Sequence, residues 1–131
     1  MSGVVLDASA LLALLLDEFG ASLVAETLDE AAMSSVNLAE VIGYYAKQGV
    51  AAVDIRVMLA GLPVAIVPFD QDLAYEVGLM RPLGEKVGLS LGDRACLALA
   101  RQRGAPALTA DRAWKAIAEE YGVAVEFIRQ S

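Results

Sequence analysis

Asp7, Glu40, Asp93 and Asp111 are the residues of this chain whose type and placement could do chemistry. The chain has no histidine. Ser/His and Cys/His nucleophilic pairs and histidine-ligated zinc are therefore excluded, which leaves carboxylate, lysine, tyrosine or metal chemistry. Gathering four carboxylates is costly without a counter-ion, because two unit charges about 4 Å apart repel by ~4 kcal/mol at an effective dielectric near 20. A hard divalent cation removes that repulsion. Mg²⁺ and Mn²⁺ favour oxygen ligands and often hold one or two carboxylates directly and others through water. The reaction such a site serves is attack of a metal-activated water on a phosphodiester, with the cation also stabilising charge on the phosphoryl oxygens.

Each acid also has a purely structural explanation. Asp7 follows an apolar run and precedes a helix that it could cap, and Asp111 stands in the same relation to the helix from Arg112. Asn37-Leu38-Ala39-Glu40 and Ser90-Leu91-Gly92-Asp93 both have the spacing of a capping box. Taken singly, neither explanation outweighs the other; their joint placement depends on the elements that carry them.

Those elements alternate. Gly3 to Leu6 reads as a buried strand. The Ala/Leu run from Ser9 to Leu16 reads as a helix broken at Phe19-Gly20, and Ala21 to Asp29 as a second helix. Ala32 to Val36 is a second strand, followed by a helix from Leu38 to about Gln48 with Asn37 as its cap and Gly49 as its stop. A helix over Val50 to Leu62 ends before Pro63, and Val64 to Val67 is the third strand. Asp70 caps a helix that runs to about Met80. The stretch from Arg81 to Ser90, with Pro82, Gly84 and Gly88, reads as loop. Leu91 to Arg103 is helical, Ala105 to Thr109 a strand, Arg112 to Tyr121 a helix and Val123 to Ile128 a final strand. Strands alternating with helices predict an α/β fold, a three-layer α/β/α sandwich on a mostly parallel central sheet. In such a sheet the loops after the strands open on one edge, where ligands bind. Asp7, Glu40 and Asp111 lie within a few residues of strand ends, and Asp93 opens the helix leading back into the fourth strand, so all four are expected at helix N-termini on that edge.

Composition agrees with a layered domain. The 131 residues are 57% apolar and 21% charged, which excludes a disordered chain and suits one domain over 1–131 with elements buried on more than one face. One cysteine, Cys96, permits no internal disulfide and reads as a small buried hydrophobe in a reducing compartment. No apolar run is long enough to span a bilayer, and the N-terminal run lacks a basic leader, so a soluble cytoplasmic protein is expected. The net charge of -7 works against an approach to RNA, but setting the four acids aside leaves 13 acids against 10 bases.

Four segments in order carry a family resemblance. Val4-Val5-Leu6-Asp7-Ala8-Ser9-Ala10-Leu11-Leu12-Ala13, Asn37-Leu38-Ala39-Glu40-Val41, Leu89-Ser90-Leu91-Gly92-Asp93 and Leu108-Thr109-Ala110-Asp111-Arg112-Ala113-Trp114 resemble the acidic motifs of PIN-domain nucleases. The resemblance covers essentially the whole chain, and the length is similar to that of the VapC-type toxins of bacterial toxin–antitoxin pairs. It implies an RNA endonuclease using Mg²⁺ or Mn²⁺ and leaving a 5′-phosphate and a 3′-hydroxyl. Asp7, Glu40, Asp93 and Asp111 fall on the family's acidic positions, with Asp7 and Asp93 holding the metal and Glu40 and Asp111 helping directly or through water. Ser9 and Thr109 match its small hydroxyl positions and would orient the acids. The resemblance further implies a homodimer and a cognate VapB-like antitoxin whose C-terminal segment lies across the active-site groove.

Two other readings stay open: a phosphohydrolase with Asp7 as covalent nucleophile, although Ser9 stands where those sites usually place a second acid, and a catalytically silent module that docks a basic partner. A nucleotide-binding domain is disfavoured by the lack of a Gly-rich phosphate loop. Arg81, Lys86, Arg94, Arg112 and Lys115 could meet RNA phosphates or form a solvated surface. Trp114 could stack on a base but reads better as core. Tyr44 and Tyr45 read as packing or dimer-contact residues, and Asp70 and Asp72 as helix-capping and solvating acids.

Overall fold

The computed structural model describes residues 3–128; the outermost residues of the expected domain, 1–2 and 129–131, lie outside it. Five short strands, β1 (Val4–Leu6), β2 (Ala31–Ser34), β3 (Ala65–Val67), β4 (Ala107–Thr109) and β5 (Val125–Phe127), form one sheet in the order β3-β2-β1-β4-β5. Every pairing is parallel, with Val5 opposite Ala32 on one side and Ala107 on the other. Parallel neighbours need crossovers, and the helices supply them: α1 (Ala8–Leu15), α2 (Ala21–Thr27), α3 (Ser35–Lys47), α4 (Ala52–Ala60), α5 (Gln71–Leu79), α6 (Arg81–Glu85), α7 (Leu91–Arg103) and α8 (Lys115–Tyr121). The three-layer α/β architecture expected from the sequence is therefore present.

The sheet alternates its side chains between two cores, as a pleated strand must. Val4 and Leu6 join Leu11, Val24, Met33, Val41 and Leu108 on the face covered by α1, α2 and part of α3. Val5 and Ala107 join Leu73, Val77, Leu99 and Trp114 on the face covered by α5, α7 and α8. Helix α7 is buried from Ala95 through Cys96, Leu97, Ala98, Leu99 to Ala100. A helix buried all round touches neighbours on every side, and its small residues let them approach. Cys96 is, as expected, a fully buried member of this core.

Some boundaries differ from those read in the sequence. Ser34, not Asn37, caps α3, through a bond from the Val36 N–H to its Oγ. The helix starts two residues before Asn37, because Ser34 combines an extended backbone with a side-chain acceptor of the right reach. Within the stretch expected to be loop, Arg81–Glu85 forms the short helix α6, where Pro82 sits in the first turn and loses no hydrogen bond there. A 3₁₀ turn over Leu28–Glu30 ends the second helix early, and another over Arg112–Trp114 precedes α8. Asp70 caps α5 as expected, accepting from the Leu73 N–H. Among the described residues no helix is long and apolar enough to cross a membrane.

Gly20 joins α1 to α2 with φ of +96°, and a Cβ there would lie 2.4 Å from the backbone oxygen of Ile128. Gly49 has φ of +87° with nothing near it. Gly49→Ala is expected to cost about 1 kcal/mol for the left-handed backbone alone. Gly20→Ala should cost roughly 3 kcal/mol, because a main-chain atom must also move. Urea midpoints of the two variants check this, and equal losses would refute the close approach.

Candidate active site

The order β3-β2-β1-β4-β5 reverses direction at β1: the chain winds outward to β2 and β3, then returns to place β4 on the other side. The crevice beyond the strand ends at such a reversal is where open parallel sheets bind ligands. Asp7 is the first residue past β1, and Thr109 is the last residue of β4 beside it. The Asp7 N–H donates to the Leu108 carbonyl at 3.2 Å, so the acid is still held by the sheet when it begins α1.

Asp7 is buried, 5% exposed, and is held from three sides. The Ala10 N–H donates to Oδ1 at 2.8 Å, which makes Asp7 the N-cap of α1. Ser9 Oγ donates to the same oxygen at 2.7 Å, and Thr109 Oγ1 donates to Oδ2 at 2.5 Å. Each hydroxyl also accepts from the turn after β4: Ser9 from the Ala110 N–H and Thr109 from the Asp111 N–H, both at 3.0 Å. Their 3.4 Å approach to each other is a contact rather than a further bond, since both hydroxyl protons already point at Asp7. The two hydroxyls thus lock Asp7 to the segment that carries Asp111.

Asp93 is the third residue of α7 and completes a capping box: its carboxylate accepts from the Ser90 N–H at 2.9 Å, and Ser90 Oγ accepts from the Asp93 N–H at 3.1 Å. Asp111 caps the 3₁₀ turn through the Ala113 N–H. The structural roles foreseen for Asp7, Asp93 and Asp111 are therefore real, and they coexist with a shared location. Glu40 departs from the expectation of a helix N-terminus. It is the sixth residue of α3, and no capping box forms with Asn37. Instead Asn37 is buried and its Nδ2 donates to Glu40 Oε1 at 2.9 Å. Asn37 is a site residue that sequence reasoning took for a cap; only its position one turn before Glu40 pointed to it.

Electrostatics link the group. Burial pushes the Asp7 carboxyl up to about 6, against the lowering effect of Thr109, Ser9 and Ala10, and the Asp93 charge raises it further. Asp93 is raised mainly by burial too, partly countered by its bonds with Ser90 and reinforced by Asp111. The thiol of Cys96, beneath the site in α7, is driven well up by burial and then by the charges of Asp7, Asp93 and Glu40. Trp114 is fully buried, as its core reading expected. Its indole N–H favours the charged form of Asp93, yet it lies outside hydrogen-bonding geometry and has no hydrogen-bond partner among the described residues.

These residues fit a hard divalent cation by donor chemistry: oxygen ligands, a buried carboxylate whose hydrogen-bond donors are all neutral, and a neighbouring charge on Asp93 that raises the cost of charging it. Among the described residues no three acidic or cysteine side chains are placed to hold a metal ion together. The arrangement therefore suits an ion bound by one or two carboxylates and otherwise by water, as Mg²⁺ commonly is.

The candidate phosphate-contacting residues are less uniform. Lys86 and Lys115 are exposed at the end of α6 and the start of α8. Arg81 pairs with Glu85 at 3.5 Å on the surface, and the Arg112 guanidinium lies 5.2 Å from the Phe127 ring centroid. Arg94 turns inward: it donates to the Val77 carbonyl at 2.9 Å and packs over Gly84.

The raised Asp7 carboxyl makes folding pH-dependent. Between 3.8 and about 6 the folded carboxyl keeps a proton that the unfolded one has lost. Its contribution to stability is full below pH 3.8 and is lost as pH rises through about 6, a change of roughly 3 kcal/mol. In metal-free buffer Asp7→Asn is therefore expected to be more stable than wild type at pH 7 and equal to it near pH 4. Urea melts at both values check this, and a variant less stable at pH 7 would contradict it.

A family model described as PIN domain matches residues 4–120. Compared by sequence with curated proteins, the chain finds no match. Among solved structures it is similar to a DNA-bound VapBC from Salmonella typhimurium, at 19% identity and a TM-score of 0.74 over 98% of this chain and 100% of that one. A toxin–antitoxin complex from Klebsiella pneumoniae gives 22% identity and a TM-score of 0.73 over the same shares. A member of the VapBC family of toxin–antitoxin systems from Mycobacterium tuberculosis gives 25% identity and a TM-score of 0.60 over 99% of this chain and 100% of that one. The match of sequence over most of its length and of fold over nearly all of it places this chain in the PIN-domain family.

Proposed function

We propose that this protein is a metal-dependent endoribonuclease, the toxin of a type II toxin–antitoxin pair. The observation that carries the reading is Asp7: a buried carboxylate at the sheet's reversal point, held only by neutral donors and electrostatically linked to Asp93. Acids placed at this cost, in the crevice where parallel sheets bind ligands, are what a cation-dependent site requires.

Asp7 and Asp93 would hold the ion, with Glu40 and Asp111 assisting directly or through water. When bound, Mg²⁺ or Mn²⁺ would supply activation of a water and positive charge for the phosphoryl oxygens. Asp7 is fixed by Ser9, Thr109 and Ala10, so its oxygens need no reorganisation when substrate arrives. Ser9, which donates to Asp7 Oδ1, stands where a phosphohydrolase with a covalent aspartate usually places a second acid, and this disfavours the reading in which Asp7 attacks phosphorus itself. Exposed Glu40 and Asp111 form the rim. Lys86 and Lys115 are the exposed candidates to meet RNA phosphates, joined by Arg81, which pairs with Glu85, and by Arg112, which lies over the Phe127 ring, while Arg94 is tied to α5.

The partners proposed are RNA, a VapB-like antitoxin and a second copy of the chain. An apolar groove of about 840 Å³ between α3, α4 and the β3 edge, lined by Leu38, Ile42, Ile55, Leu59, Val64 and Ile66 among others, supports an apolar protein partner. Tyr44 and Tyr45 pack edge to face with their ring centroids 5.2 Å apart, and both are half-buried.

The test is cleavage of labelled RNA by purified protein in Mg²⁺, Mn²⁺ or EDTA. Cleavage is expected only with a divalent ion, and Asp7→Asn and Asp93→Asn should each lower it roughly a hundredfold or more. Cleavage that survives chelation, or is retained in both variants, would overturn the proposal.

A further inference from the structure

Glu40 is the one acid of the site that neither caps a helix nor is buried, yet the structure constrains it from two sides. A free glutamate on an exposed helix face would sample many rotamers, and fixing it costs side-chain entropy. Asn37, 1% exposed, supplies the first constraint. Its Nδ2 donates to Glu40 Oε1 at 2.9 Å and to the Gly92 carbonyl at 3.0 Å, so one amide joins α3 to the first turn of α7. The amide can face only this way, because the reverse would set its oxygen against two acceptors. Its Oδ1 is buried and accepts no bond among the described residues, an arrangement that is itself unfavourable.

Gly92 supplies the second constraint. It is the second residue of α7 and has no left-handed backbone to require glycine. What requires it is space: a Cβ at this position would lie 2.4 and 2.5 Å from the Glu40 carboxylate oxygens. The Glu40 carboxylate therefore rests on the bare backbone of Gly92, next in sequence to Asp93.

We propose that Asn37 and Gly92 are positioning residues that seat the Glu40 carboxylate on the N-terminal turn of α7, so that Glu40 and Asp93 act as one preset pair in the site. The inference rests on the nuclease reading above and adds to it which residues make the exposed acid a fixed member. Without the seat, Glu40 would have to be ordered each time the site assembles.

Gly92→Ala tests this without threatening the fold. Alanine favours a helix over glycine, and the obstructed group is the far end of a flexible side chain, so the variant should melt no lower than wild type. Mn²⁺ binding can be followed independently of catalysis by quenching of Trp114, the chain's single tryptophan, which is buried beside Asp93. Gly92→Ala is expected to weaken Mn²⁺ binding and lower kcat by roughly tenfold each, with KM for RNA little changed. Asn37→Ala should do the same. In a Glu40→Gln background neither substitution should cause more than about a twofold further loss, because both act through Glu40. Wild-type binding and cleavage in Gly92→Ala, or an equal loss in the Glu40→Gln background, would overturn the seat and leave the nuclease reading standing. A wild-type protein that neither binds Mn²⁺ nor cleaves RNA would overturn both.

Discussion

The burial of one carboxylate organises this molecule. Asp7 sits where the central strand ends, between two cores, and its charge is compensated by three neutral donors rather than by a cation. The same three bonds cap α1, bind the β1 end to the β4 end through Thr109, and reach through Ser9 and Thr109 to the turn that presents Asp111. To relieve the desolvation cost, the chain would have to break a helix cap and the hydroxyl bridge together. The strain of the site is thus held by the sheet itself, in a place where the pleat puts alternate side chains into opposite, well-filled cores.

Structural and chemical roles of the acids turn out not to be alternatives. A helix N-terminus offers unsatisfied N–H groups and partial positive charge, so an acid there stabilises the helix. The same partial charge offsets some repulsion between acids brought to one edge. Asp7, Asp93 and Asp111 each use this arrangement. Glu40 cannot, being well inside α3, and the amide of Asn37 together with the open space over Gly92 takes the place of a helix terminus.

Two open features of the molecule differ in character. The edge beyond the strand ends is acidic and hydrogen-bonded, with Lys86 and Lys115 exposed on helices α6 and α8. The groove beside edge strand β3 is apolar, and Ala65 and Ile66 of that strand are exposed between Pro63 and Pro68. Prolines at both ends of an edge strand limit unwanted strand pairing along it. A net charge of -7 weakens general attraction to nucleic acid.

Much of this was legible in the linear sequence. The alternation of apolar runs and helical periods specified a layered parallel sheet, because strand and helix periods are local properties of consecutive residues. The lack of histidine narrowed the chemistry, and the spacing of Asp7, Asp93 and Asp111 relative to the elements located three caps. The sequence could not decide which of several competent residues would cap α3: Ser34 and Asn37 both have the chemistry, and the choice fell to where the strand pairing let go. Nor could it show that Arg94 turns inward, that α6 forms across an apparent loop, or that Glu40 rests on Gly92, 52 positions away. The element types and the inventory of acids were thus determined by the sequence alone. The burial of Asp7, its bridge to Thr109 and the seating of Glu40 were decided only by tertiary structure, because desolvation and contact depend on what the fold packs around a residue, not on its neighbours in the chain.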